Sequence, residues 1–355
     1  SGMTAVGRPA LLTADFAYPL PEALVASHPA DRREDSRLLV LDRKTGAMAD
    51  RAFPDLLSYL AEGDALVIND TRVLPARLLG RKPTGARAEI LLLRPLPEDE
   101  EGRTWRALVR PGGKLKPGRV VEVADGFAVR VEDSLADGSR RVRLEGDLDP
   151  WELVERHGEV PLPPYIRRPG VEADRERYQT VYARERGSVA APTAGLHFTT
   201  GLIEQIEALG VSVVPVTLHV GVGTFRPVDA ARVEDHRMHS EWYDLSEGSA
   251  RLLNRARDAG RRVWAVGTTS ARTLETAAAA DGSFEATGGW TNLFIHPPYQ
   301  FRAVDGLLTN FHLPRSSLLM LVSALAGRDH VLEAYRHAVE RRYRFYSYGD
   351  AMLVI

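Results

Sequence analysis

The sequence contains no cysteine, which removes disulfides, iron–sulfur clusters, thiolate zinc sites and cysteine nucleophiles together. Covalent chemistry falls to other groups. It also lacks an apolar run long enough to cross a bilayer. The best one, Leu318 to Ala326, is about half the roughly 20 residues that a spanning helix needs and reads as a buried helix. No charged-then-apolar segment opens the chain as an export signal would, and Ser1-Gly2 ahead of Met3 reads as a cloning scar. These features point to the cytoplasm. A large net charge is missing too: at −2, the molecule as a whole is no electrostatic glue for nucleic acid. RNA would have to meet a local patch. Residues 71–150 carry 16 Lys and Arg against 13 Asp and Glu, a net +3 that leaves the remainder at −5. An RNA-facing insert needs a bias of that sign, and so does an ordinary solvated face. There is no internal repeat, and Ala277–Ala280 is the one low-complexity tract.

The 355 residues are long for one hydrophobic core, and with 44% hydrophobic and 26% charged residues the composition is that of a globular protein of two domains. The chain changes texture twice. Residues 36–68 read as strand, Lys44-Thr45-Gly46 turn, strand, short helix near Pro54–Leu60, and the buried strand Ala65–Ile68, followed by Asn69–Arg72 as a polar loop. From Val73 to Asp149, short alternating strands at 76–79, 88–93, 104–109, 119–123, 128–131 and 140–144 are separated by Gly and Pro turns, the pattern of a small barrel or sandwich. Beyond Pro150, helix and strand alternate. Leu202, Ile203, Ile206 and Leu209 share a helical face closed by Gly210, Ser246 caps a helix ending at Gly260, and Gly267-Thr-Thr-Ser270 opens another after the strand 263–266. The expected architecture is α/β: a discontinuous α/β domain of residues 3–70 and 150–355 that carries an inserted small β-barrel domain, 71–149.

Ligand crevices of open α/β sheets lie where loops leave the strands. Segments that combine small, polar and ionisable residues in such places are 69–72, 190–198, 218–227, 267–272, 309–314 and 347–350. Gly221-Val-Gly223-Thr224 allows close backbone approach to a ligand or forms a tight turn, and Pro227 ends any dinucleotide-type glycine pattern. His197, His219 and His312 stand in three of these segments and suit acid–base work as well as structural hydrogen bonding. His236, His239 and Glu241 have spacing that merits a metal test, but the strand pattern of 241–245 favours hydrogen bonding or substrate orientation, and no metal is expected. Arg272 and Glu275 either pair on a helix surface or hold a ribose or a carboxylate. Asp305 in Val304-Asp-Gly306 has a turn reading, and stands near His312 along the chain.

Taken in order, the segments AAPTAGLHFT (190–199), LHVGVGTFRPV (218–228), HRMHSE (236–241), VGTTSARTLE (266–275), VDGLLTNFHLPRSSLLMLVSAL (304–325) and YGDAML (348–353) closely resemble the S-adenosylmethionine:tRNA ribosyltransferase-isomerase family. The likeness extends to FAYPL (16–20), His28-Pro29 and NDTRVLPAR (69–77), so it spans the chain. One departure is FIHPPY (294–299), where the family reads closer to FIYPGY; it restricts the backbone and replaces a stacking tyrosine by His296. The resemblance implies an α/β domain with an inserted barrel. It also implies transfer and isomerisation of the ribosyl moiety of S-adenosylmethionine onto 7-aminomethyl-7-deazaguanine at the tRNA wobble position, with epoxyqueuosine, adenine and methionine as products. The donor is then a consumed substrate, and no cofactor is expected. Partners are the precursor tRNA and the donor, with no membrane, and the protein itself is expected to be a monomer.

That chemistry suits the residue types. A sulfonium acidifies its neighbouring carbons, so a modest base can take a proton from the ribose 5′ carbon; adenine departure wants a proton donor; and methionine is already a good leaving group. His197 and His312 are the leading acid–base candidates, followed by His219 and Asp305. Thr193, Thr224, Arg226, Thr269, Arg272, Glu275 and Asn310 are candidates for binding the donor or the base, and Asn69, Asp70 and Arg72 for receiving an anticodon base at the domain junction. The rivals are a methyltransferase using the same donor, a family member with a changed acceptor, and a non-catalytic RNA-binding module, although the last lacks the expected aromatic-rich strands or strongly basic face.

Overall fold

The computed structural model describes residues 11–355, apart from the side chains of Thr224 and Phe225. The first strands in the chain are β1 (Arg37–Leu41), β2 (Met48–Ala52) and β3 (Ala65–Asn69), followed by the short β4 (Thr71–Val73). The next six are β5 (Arg77–Arg81), β6 (Arg87–Pro95), β7 (Thr104–Arg110), β8 (Val120–Ala124), β9 (Phe127–Ser134) and β10 (Arg140–Gly146). Then come α1 (Pro150–His157), α2 (Glu172–Arg177), β11 (Glu185–Ser188), α3 (Thr200–Ala208), β12 (Ser212–Leu218), β13 (Glu241–Leu245), α4 (Glu247–Asp258) and β14 (Val263–Val266). The chain closes with α5 (Thr268–Ala277), β15 (Thr287–Thr291), β16 (Gly306–Asn310), α6 (Ser317–Ala326), α7 (Arg328–Glu340) and β17 (Ala351–Val354). Among the described residues no helix is long and apolar enough to cross a membrane.

Nine strands form one mixed sheet in the order β15-β13-β12-β3-β14-β16-β17-β1-β2. Its centre is parallel, β12 and β14 flanking β3 and β16 beside β14, and its margins are antiparallel. Strand β3 shows why an unbroken apolar run was needed. Ala65 and Val67 face a core shared with Leu253, Leu274 and Met320, whereas Leu66 and Ile68 face Phe198, Leu202 and Ile206 on the other side. Such a strand buries both faces, so no polar alternation is possible.

Strands β5–β10 close a barrel in the order β10-β7-β6-β5-β8-β9, filled by Leu78, Ile90, Trp105, Val121, Val129 and Val142. Alternation of inward and outward side chains along the strands, as in β6 where Ala88, Ile90 and Leu92 are buried and their neighbours less so, is the physical source of this inside and outside. Gly80 allows the closure: a Cβ there would lie 2.5 Å from the Glu122 carbonyl oxygen of the adjoining strand. The α/β sheet and the closed barrel are the two architectures that the pattern of residues implied.

Two elements depart from expectation. The stretch after β3 is not a free polar loop: Thr71–Val73 pairs in parallel with Glu185–Ser188, because the Asn69 side chain folds back, its Oδ1 accepting from the amides of Thr71 and Leu218 at 3.2 and 3.0 Å. The C-terminal β17, which the flanking Ser347–Asp350 loop gave no reason to expect, enters the sheet as an interior strand between β16 and β1.

Candidate active site

A cleft of about 520 Å³ opens at the ends of β12, β14 and β16, the edge where parallel strands deliver their loops. Its walls include Thr193 and Ala194, Val220, Gly267–Thr269, Asn310 and His312, with Tyr165, Tyr346 and Ser347 closing one side. Gly267 has φ +89° and precedes α5 with no side-chain cap. The first-turn amides of Thr268 and Thr269, two residues of the cleft wall, have no intrahelical acceptor, an arrangement that favours an anionic group. Tyr346 holds the left-handed region at φ +75°, a strained conformation for a tyrosine, and its ring meets Tyr165 at 4.6 Å between centroids.

His312 is pinned before it can act. Its amide donates to the Tyr335 hydroxyl at 2.8 Å, and its carbonyl accepts from the hydroxyl of Tyr18. The Thr309 hydroxyl lies 3.1 Å from the Asn310 carbonyl oxygen and 2.5 Å from His312 Nε2. With the hydroxyl hydrogen on the Asn310 carbonyl, Nε2 carries the ring proton and Nδ1 is the basic nitrogen; with it on Nε2, the tautomer is reversed. Burial pushes the pKa down to about 3, so the ring is neutral at physiological pH.

His197 is placed differently. Asn310 Nδ2 donates to the carbonyls of Tyr346 and Ser347 at 2.7 and 3.2 Å, which turns Oδ1 toward His197 Nε2 at 3.3 Å. Nε2 thus donates, and Nδ1 accepts from Ser36 Oγ at 2.9 Å. Both nitrogens are spoken for, and burial lowers the pKa to about 4. His197 stands behind Asn310, as part of the wall and not of the cleft.

The model of the queuosine biosynthesis protein family matches residues 13–354. The chain belongs to this family. A relative from Syntrophomonas wolfei, named S-adenosylmethionine:tRNA ribosyltransferase-isomerase, is 54% identical over 343 residues, covering 96% of each chain. A crystal structure of the S-adenosylmethionine tRNA ribosyltransferase of Thermotoga maritima shares 40% identity with a TM-score of 0.56, covering 96% of this chain and 100% of that one. The sequence resemblance is thereby borne out.

In this queuosine biosynthesis family member the remaining candidates divide by position. Thr193, Thr269 and Asn310 line the cleft with His312. Asn69 supports it from beneath, its Nδ2 donating to Thr269 Oγ1 at 3.1 Å. His219 lies outside the lining: its ring stacks on Trp242 at 5.1 Å and Nδ1 lies 2.8 Å from Thr71 Oγ1, and burial lowers its pKa to about 4. Asp70 turns away to accept from the Thr217 hydroxyl at 2.6 Å, and burial raises its carboxyl. Arg72 is exposed, 3.9 Å from Glu155, and Arg226 is also exposed. The side chain of Thr224 lies outside those described.

Three assignments need correction. Asp305 is not a neighbour of His312: the whole of β16 lies between them, and the carboxylate accepts from the Val263 amide at 2.8 Å at the far end of that strand. Arg272 and Glu275 do not pair with each other. Arg272 forms a buried ion pair with Glu241, whose other oxygen accepts from the Gly221 amide at 2.6 Å, tying the 221 loop to α5. Glu275 accepts from the amides of Arg302, Ala303 and Val304 and from the Tyr299 hydroxyl, at 2.6–3.2 Å, and so holds the segment before β16. His236 packs edge-on to Phe294 at 5.0 Å, and no group of three or more metal-ligating residues forms among the described residues. Sequence reasoning missed Tyr165 and Tyr346; an aromatic residue directly after Pro163-Pro164 was the available signal for the first.

Proposed function

We propose that the chain transfers and isomerises the ribosyl moiety of S-adenosylmethionine onto 7-aminomethyl-7-deazaguanine in tRNA, releasing adenine and methionine. The observation that carries this reading is the cleft itself, which sets the uncapped start of α5, the Tyr165–Tyr346 pair and the neutral His312 around one volume. The α5 amides suit the donor's methionine carboxylate, the tyrosines offer a flat surface to adenine or to the acceptor base, and Thr193, Thr269 and Asn310 supply polar contacts to ribose.

With the Thr309 hydroxyl turned to the Asn310 carbonyl, His312 Nδ1 is the base for the proton at the ribose 5′ carbon. Burial disfavours an imidazolium in the empty cleft, but with the donor bound the net charge does not change in this step. The proton leaves a carbon beside a positive sulfonium and makes an imidazolium, so the cleft carries one positive charge before and after. Adenine departs with its bonding pair and takes up a proton; the acceptor's aminomethyl nitrogen, losing a proton, bonds to the ribose 5′ carbon as methionine departs with the carbon–sulfur pair as a neutral thioether.

The barrel side is the second contact for RNA. Trp242 and Trp290 are cross-strand partners on β13 and β15, His219 stacks on the first, and Arg94 of the barrel lies 4.7 Å over the second, which is 54% exposed. A strip of this kind suits unpaired bases. Incubation with labelled donor and tRNA bearing the precursor base tests the whole reading. Adenine and methionine are the expected products. S-adenosylhomocysteine would replace the proposal with methyl transfer, and RNA binding without turnover would reduce it to a binding module.

A further inference from the structure

Beside the cleft, and sharing Ser347 with it, lies a second cavity of about 250 Å³ whose walls include Arg33, Arg177, Ser36, His197 and Tyr348. Its two arginines are positioned by backbone oxygens. Arg33 donates to the carbonyls of Leu196 and Glu176 at 3.0 and 2.7 Å, and Arg177 to those of Asp31 and Ala30 at 3.2 and 2.6 Å. Carbonyls fix a guanidinium without neutralising it. Neither arginine has an ion-pair partner among the described residues, and Arg177 Nε is buried with no hydrogen-bond partner among them. The nearby carboxylate of Asp174 is engaged by Arg168 at 2.8 and 3.0 Å and by the Tyr348 hydroxyl at 2.9 Å. Burial and the charge of Arg177 both lower the pKa of Arg33, the exposed Glu176 opposing them. Two like charges, partly desolvated around one cavity with donor hydrogens to spare, are unfavourable unless an anion joins them.

We propose that this cavity binds an oxyanion, a phosphodiester of the RNA backbone next to the nucleotide that enters the cleft. The identity of the RNA rests on the function proposed above; the anion site rests on the arginines alone. The donor's carboxylate is the other oxyanion present, but its place is at the start of α5, across the wall made by Asn310 and His197. An RNA strand, by contrast, carries a negative charge on each side of every base. Planar arginine forks held by carbonyls match such a group in two directions at once.

The test uses the whole protein and an anticodon stem–loop RNA. Neutral methylphosphonates are placed one at a time at the phosphates flanking the wobble position, and affinity is read by fluorescence anisotropy. Substitution at one position should weaken binding to the wild type about tenfold and lower the slope of log affinity against log salt by roughly 0.7 to 0.9. The R33Q/R177Q variant should bind unmodified RNA about as weakly, be indifferent to that methylphosphonate, and bind S-adenosylmethionine normally by calorimetry. Equal affinity for every methylphosphonate RNA would overturn the proposal without any variant having to fold. So would a folded variant that loses affinity for the donor instead of RNA. Turnover of the wild type is followed separately, so failure of ribosyl transfer would not be mistaken for failure of the anion site.

Discussion

Replacing Glu275 separates a residue that holds the fold from one that holds a ligand. The carboxylate is buried, and it accepts from three consecutive backbone amides and one tyrosine hydroxyl. Removal in Glu275→Ala orphans those donors inside the protein. Hydrogen bonds to a charged acceptor contribute about 1.5–3 kcal/mol each, and an abandoned buried donor costs about 1–3 kcal/mol. The four share one acceptor group and are not additive, so the expected loss is about 3–5 kcal/mol. Glu275→Gln should lose less, because Oε1 keeps its bonds to Arg302 and Tyr299 while the amide nitrogen confronts the amides of Ala303 and Val304. Urea denaturation followed by tryptophan fluorescence gives the stabilities, and calorimetry gives donor affinity below the unfolding range. A Glu275→Ala protein that is within 1 kcal/mol of wild type, yet binds S-adenosylmethionine tenfold more weakly, would refute the structural role and return Glu275 to the ligand.

Other expectations follow from the same geometry. His312→Ala should lower turnover by about 100-fold or more with donor affinity nearly kept, and near-normal turnover in a folded variant removes His312 from the mechanism. Burial holds His197 and His219 to about 4 and His312 to about 3, below the roughly 6.5 of an unfolded chain. The unfolded state therefore binds more protons between those values, and the stability these neutral rings provide is complete above about pH 6.5 and lost as pH falls. Urea midpoints should drop between pH 7 and pH 5; an unchanged midpoint, with carboxylate contributions matched in His→Gln variants, contradicts this. Trp290→Ala should weaken binding of the anticodon loop by about 1–3 kcal/mol with donor affinity intact, and equal RNA affinity by anisotropy would remove the aromatic strip from the interface.

How much could be read in advance depended on how local the cause was. The barrel strands were visible because short apolar stretches such as Arg141-Val142-Arg143-Leu144 alternate with polar residues and Gly and Pro turns interrupt them, a period of two that needs no distant partner. The start of α5 was visible for the same reason, Gly267 and two threonines following an apolar strand. Individual histidines were not separable in this way. His197 and His312 sit in equally plausible loops, yet Asn310 and Ser36 occupy both nitrogens of the first, and Thr309 only one of the second.

Residue patterning along the chain thus determined the α/β layer, the barrel and the segments that gather at one sheet edge, because hydrophobic periodicity and turn chemistry act over a few residues. Tertiary structure decided the rest. It sent β17 into the sheet between β16 and β1, joined Glu241 to Arg272, carried Asp305 to the opposite end of β16 from His312, and left Arg33 and Arg177 around a cavity without a carboxylate. These outcomes depend on which buried charges and edges find partners tens to hundreds of residues away or across a strand, and burial, not sequence spacing, sets that competition.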